Sequence, residues 1–277
     1  MKQLFSLQKI SVSLCFVILS VVVIAGDPYR PATGARQAGM AYVCVMNSDL
    51  WSSFHNQAGL AYNKSLLFGF NYENRFNIME LGTRAAGLNV PAGKASICAI
   101  YSYFGYSEFK RQMAGLGCGL PLSDKIAAGI QIDYFSERTT GEYNNNQLLT
   151  CEVGVCISPS ENVKVGMHVF NPVPNSLRRT EMPTRLTVGS GVNLSKGLFA
   201  GIEAEISTSK KLLVRTGFEY EAAEKFWLRG GFSTENSSFS FGLGYKIKPV
   251  TIDIGFSSHE RLGITSSASI IFNIKNF

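Results

Sequence analysis

Along most of the chain, apolar and polar positions alternate one by one. From Ser238 to Ile247, Phe239, Phe241, Leu243, Tyr245 and Ile247 fall on one face, and Ser238, Ser240, Gly242, Gly244 and Lys246 on the other. Successive side chains point to opposite faces only in a strand, so no helix produces this pattern. Val250, Ile252, Ile254 and Phe256 oppose Thr251, Asp253, Gly255 and Ser257 in the same way, as Ala200, Ile202, Ala204 and Ile206 oppose Gly201, Glu203, Glu205 and Ser207. From Lys64 onward, such segments are divided by turn chemistry. The pattern predicts fourteen strands, near 64–74, 77–90, 95–106, 109–121, 126–136, 147–158, 163–171, 183–194, 198–208, 212–220, 226–233, 237–247, 249–258 and 262–274. Strands two to four are rich in Gly and Ala and alternate poorly.

The connections separate a barrel from a sandwich. Every second one is short and turn-like: Pro91-Ala92-Gly93-Lys94, Leu122-Ser123-Asp124-Lys125, Pro159-Ser160-Glu161-Asn162, Ser195-Lys196-Gly197, Ala222-Ala223-Glu224-Lys225 and Lys248-Pro249. The two longest, Glu137–Asn146 and Asn171–Met182, are the fifth and seventh, on the opposite side. An even-stranded barrel with both chain ends in the periplasm has this parity. A soluble sheet would expose its columns of Phe, Ile, Val and Tyr to water. The expected fold class is therefore all-β, a transmembrane antiparallel β-barrel of about fourteen strands. Tyr72, Tyr103, Tyr106, Tyr134, Phe170, Tyr220, Trp227, Tyr245 and Phe256 gather near strand ends, where interfacial aromatic girdles lie. The sequence stops at Phe277, the kind of terminal aromatic with which outer-membrane assembly signals end, one residue out of phase with Ile270, Phe272 and Ile274.

Three parts are expected: a signal peptide over 1–25, an N-terminal plug over 26–63, and the barrel over 64–277. The leader has Lys2 and Lys9, an apolar run from Ile10 to Ile24, and a small-residue cleavage site ending at Ala25. That run falls short of the roughly twenty residues a spanning helix needs. Leu14 stands before Cys15 where a lipobox wants a small residue. Cleavage would leave a mature chain in the outer membrane. Residues 26–63 open with Asp27-Pro28-Tyr29-Arg30-Pro31 and are apolar without alternation, so they need shelter, and the lumen is the nearest one. A short helix capped by Ser48 is expected over 48–54, with Asn56-Gln57-Ala58-Gly59-Leu60 as its stop. Gly201, Gly217, Gly231, Gly242, Gly244, Gly255 and Gly263 would leave room for that backbone on the lumen side.

Composition narrows the chemistry. The chain has 277 residues, 17% of them charged, and its net charge of +6 is scattered rather than clustered, which excludes a nucleic-acid footprint. Cys44, Cys98, Cys118, Cys151 and Cys156 lack metal-knuckle or disulfide spacing and read as small apolar fillers. His55, His168 and His259 lie far apart with no ligand at zinc spacing, and no nucleophile elbow or phosphate loop occurs. No cofactor and no metal is expected, and the chain is not expected to be an enzyme. A barrel enzyme built around His168 is the remaining catalytic alternative. Asp133, Glu152, Glu203, Glu205, Arg215, Glu219, Arg229 and Asp253 are placed in the lumen, pairing with one another and with the plug through Arg36, or forming a polar solute path.

The stretch Gly34-Ala35-Arg36, Ala41, Ser48-Asp49 and Asn56-Gln57-Ala58-Gly59-Leu60 resembles the N-terminal pattern of PorV/PorQ-like outer-membrane proteins of Bacteroidetes, relatives of FadL-type transporters. The resemblance covers the chain loosely and this stretch closely. It implies a barrel with an internal hatch whose motif residues are Gly34, Ala35, Arg36, Asn56, Gln57, Ala58 and Gly59. It also implies an accessory or docking role in type IX secretion, with secretion-system proteins or exported cargo as partners. The alternative is a FadL-like passive channel for small hydrophobic molecules. Outer-membrane lipid would surround either. Gln57 stands where the pattern has proline, and the outer loops are shorter than a cargo-receiving member would display.

Overall fold

The computed structural model describes residues 33–140, 145–173, 175–177, 180–209 and 212–274. The leader, the Asp27–Pro31 start and the terminal Phe277 lie outside the described residues.

Among the described residues, sixteen strands form. They are β1 (Leu66–Asn74), β2 (Gly82–Ala92), β3 (Ala95–Gly105), β4 (Phe109–Pro121), β5 (Ile126–Thr139), β6 (Asn146–Ile157), β7 (Val163–Phe170), β8 (Asn175–Leu177), β9 (Thr180–Met182), β10 (Arg185–Ser195), β11 (Leu198–Ser207), β12 (Leu213–Ala223), β13 (Phe226–Ser233), β14 (Ser238–Ile247), β15 (Val250–His259) and β16 (Gly263–Ile274). All but β8 and β9 join one closed barrel in sequence order. The antiparallel pairing of β1 with β16, Leu66 opposite Ile274 through Asn74 opposite Ser266, shuts it. Closure leaves the sheet without a free edge strand, so neighbouring strands of the wall bond one another all the way round, as a hydrocarbon environment demands. Fourteen barrel strands match the number expected from the alternation.

The same alternation sorts the faces. Phe239, Phe241, Tyr245, Ile252, Ile254 and Phe256 are exposed on the outside, while Ser240, Gly242, Asp253 and Gly255 between them are buried. Even β2 to β4, whose Gly and Ala blur the pattern, alternate in burial, because cross-strand hydrogen bonds impose the pleat whatever the side chains are. At one end of the barrel the connections are tight turns, and at this end both β1 starts and β16 stops. The opposite end carries the odd connections.

Two of these differ from expectation. Strand β5 runs on to Thr139, so the fifth connection is shorter than the first, where two 3-10 turns (Arg75–Asn77 and Met79–Leu81) fill the way from β1 to β2. The seventh is not plain loop: it contains the β8–β9 hairpin, Asn175 paired with Met182.

Before β1 come helix α1 (Ala35–Gly39), helix α2 (Ser52–His55) and a 3-10 turn (Gln57–Tyr62). The helix expected over 48–54 is later and shorter. Its N-cap position is Trp51, not Ser48, and no side chain caps it; just ahead, Asp49 Oδ1 accepts the Trp51 amide at 2.9 Å and the Asp49 amide donates to Ser52 Oγ at 3.1 Å. Asn56 is not merely a stop, because its side chain accepts the Ala58 amide at 3.1 Å and starts the next turn.

Candidate functional site

Residues 33–63 lie against the inward face of the barrel wall, and inward glycines set how close they come. A Cβ placed on Gly129 would sit 2.3 Å from the Ala58 amide nitrogen, one on Gly166 2.2 Å from the Val45 carbonyl oxygen, and one on Gly255 2.4 Å from the Ala35 carbonyl oxygen. On Gly217 and Gly231 the obstacle is the backbone of Met40, and Gly242 faces Gly39. No side chain fits between wall and segment at these points, so glycine there is a condition of contact. Three members of the expected glycine set behave differently, and the first, Gly201, faces the Val43 side chain. Gly263 has open space around it, and Gly244 makes room for the Arg229 guanidinium and Asp253 rather than for backbone.

Charged side chains then tie the segment to the wall. Arg36 donates from Nε and Nη2 to the two oxygens of Glu219 at 2.8 and 2.7 Å and from Nη1 to Asp49 at 2.8 Å. Glu219 also takes Arg229 Nε at 2.6 Å, and Arg229 Nη1 donates to Asp253 at 2.8 Å. Burial alone would lower the Arg36 pKa, but the carboxylates of Glu219 and Asp49 more than reverse it, so the guanidinium stays charged. Higher round the wall, Glu203 accepts the Cys44 and Val45 amides, both at 2.9 Å, while Arg215 holds Glu203 and Glu205. Tyr42 donates its hydroxyl to Glu73. All eight polar residues placed in the lumen from sequence face inward.

A third tie uses the position that departs from the family pattern. Gln57 Nε2 donates to Glu152 Oε2 at 2.7 Å, and the same oxygen meets His168 Nε2 at 3.0 Å. Asn56 Nδ2 donates to the Val45 carbonyl at 2.6 Å. Of the remaining motif residues, Gly34 has a positive φ of 97°, the Ala35 amide donates to Ser269 Oγ at 3.4 Å, and a Cβ on Gly59 would strike the Asn47 carbonyl. His55 bonds the Thr33 carbonyl and His259 lies against Phe76, so the three histidines stay apart. Asp133 is joined by Gln131 Nε2 at 2.9 Å.

One feature escaped the sequence. Trp51 and Phe54 of the segment pack with Ala85, Ile100, Met113, Phe135, Leu148, Phe170 and Met182 as one buried apolar cluster inside the barrel. Phe135 and Phe170 meet edge to face at 6.3 Å, and the Arg185 guanidinium lies 4.6 Å over Phe170. Phe135, Leu148, Phe170 and Met182 lie at or near the strand ends where the odd connections cross. The available signal was a fault in the alternation: Tyr134 and Phe135 are consecutive, so one of two neighbouring large apolar residues must point inward.

No family model and no curated protein sequence matches the chain. Solved structures do. The Ralstonia pickettii toluene transporter TbuX matches with a TM-score of 0.65 at 11% identity, covering 88% of this chain and 98% of that one. The Pseudomonas putida toluene transporter TodX gives 0.68 at 10%, covering 93% and 100%. A Pseudomonas aeruginosa FadL homologue gives 0.62 at 12%, covering 88% and 97%. The fold is that of FadL-type outer-membrane barrels.

Proposed function

We propose that the protein is a passive outer-membrane channel for small hydrophobic molecules, plugged by residues 26–63. The observation that carries this reading is the aromatic and aliphatic cluster around Trp51, Phe54, Phe135 and Phe170, the largest of the buried apolar clusters inside the barrel. An apolar solute leaving water gains roughly 25 cal/mol for each Å² it buries against such a surface. The segment beneath is the barrier: it must shift for passage. The barrel neighbours TbuX and TodX are toluene transporters, which supports a transport role over the accessory role in type IX secretion. The loop end, carrying the seventh connection, faces outward in this reading, with the tight turns in the periplasm. The structural neighbours are transport proteins, which supports reading the protein as a non-enzyme.

The test combines location and transport. The full chain is expected in the outer-membrane fraction as a band whose gel mobility shifts on boiling. Cells making it should take up labelled toluene faster than cells without it, and Leu148→Gln with Phe135→Gln should remove most of that gain while leaving the heat-modifiable band. Equal uptake with and without the protein would overturn the channel reading.

A further inference from the structure

The outward face of the barrel is uncharged over nearly its whole area. Among the described residues, only three outward positions on barrel strands carry charge, and all three are basic: Arg84 on β2, Lys110 on β4 and Arg138 on β5. Each is exposed, and each lies within the first or last three residues of its strand at the loop end. Their inward neighbours behave oppositely: Arg111 donates to Glu137 at 2.6 Å inside the lumen, which fixes Lys110 and Arg138 on the outside.

Register brings the three together. Lys110 pairs directly with Arg138. Arg84 pairs with Tyr103, and its guanidinium lies 5.8 Å from that ring's centre. Tyr103 in turn faces Gln112 on β4, two residues from Lys110. With strands about 4.8 Å apart, the patch spans roughly 15 Å along the wall. Like charges directly opposite on a sheet repel, and no described carboxylate forms an ion pair with any of the three. Exterior Tyr101 on β3 and Tyr134 on β5 lie deeper along the wall, where the apolar belt begins. A cationic patch above an aromatic girdle is at the depth of lipid headgroups.

We propose that Arg84, Lys110 and Arg138 bind the phosphates of a phosphorylated lipid in the leaflet around the loop end. The inference rests on the membrane-spanning reading above. Guanidinium and ammonium groups neutralise phosphate oxygens by charge-assisted hydrogen bonds, and Arg84 and Arg138 supply planar forks for them. The acyl chains of the same lipid lie along Ile132, Tyr101 and Leu116, all exposed on β3 to β5. This fixes the rotation of the barrel relative to its annular lipid: β2 to β5 carry a bound lipid, whereas the outer faces of β10 to β16 carry no charged side chain among the described residues.

The purified full-length protein in detergent would be titrated with lipid A bearing two phosphates, and bound lipid counted by native mass spectrometry. The expected result is retained lipid on the wild type and roughly a hundredfold weaker retention on Arg84→Gln/Lys110→Gln/Arg138→Gln, about fivefold for each single change. Millimolar inorganic phosphate should leave the lipid in place. Equal retention by the triple variant, equal retention of dephosphorylated lipid, or displacement by inorganic phosphate would each overturn the proposal. Fractionation and heat-shift of both proteins run in parallel. A heat-modifiable membrane band with indifferent lipid binding defeats this inference alone, and a soluble band defeats the membrane reading as well.

Discussion

The tie between Arg36 and the wall can be measured by removing it. Arg36→Leu keeps most of the apolar stem but deletes three charge-assisted hydrogen bonds, two to Glu219 and one to Asp49. Each such bond contributes about 1.5–3 kcal/mol net when fully buried. The Arg36 side chain is 25% exposed, with Asp49 at 16% and Glu219 at 13%, so water takes up part of what is lost. Glu219 also retains Arg229. We therefore expect the docked segment to lose about 2–3 kcal/mol in total, well below the simple sum. Cys44 provides the readout, since it sits in the segment and is 4% exposed. In a parent protein with Cys98, Cys118, Cys151 and Cys156 replaced by Ala, maleimide reaches Cys44 only when the segment lifts. The labelling rate then follows the population of the open form. A loss of 2–3 kcal/mol corresponds to a rate rise of roughly thirty- to a hundred-and-sixtyfold. Arg36→Lys, which keeps the charge and loses the fork, should fall between. Labelling of Arg36→Leu within twofold of the parent, with the heat-modifiable band intact, would refute the idea that this ion network holds the segment down.

Two other predictions use the same label. Gly129→Val puts a side chain where the Ala58 amide now lies, 2.3 Å from the new Cβ, so the 3-10 turn must leave the wall while the barrel still closes; protection of Cys44 equal to the parent would count against the close packing. Gln57→Pro restores the residue of the resembling pattern. Asn56 already has the extended backbone, φ −160° and ψ 102°, that a following proline prefers, so the chain should accept it, but Glu152 loses its bond from the segment. Labelling should rise about tenfold, since a buried carboxylate left with fewer partners costs about 1–3 kcal/mol, and adding Glu152→Gln should recover part of the rise.

Strand number and the inward and outward faces were legible in the sequence, because alternation is a local property and a barrel wall reports it position by position. Arg36 as the partner of the lumen charges was legible for a related reason: a cation in an apolar segment that must sit inside a barrel has few anions within reach. What the sequence misplaced was set by non-local contact. Trp51 rather than Ser48 holds the N-cap position of helix α2, and Asp49 ahead of it is fixed by Arg36 and Gln37. The β8–β9 hairpin arises in a stretch with no alternation to reveal it. The apolar cluster unites Trp51 with side chains from β2 to β9, and no period along one strand records which inward residues of separate strands will share a level. Strand character is written in neighbouring residues, whereas the level at which strands meet, and what fills the space they enclose, follows only from the closed register between β1 and β16.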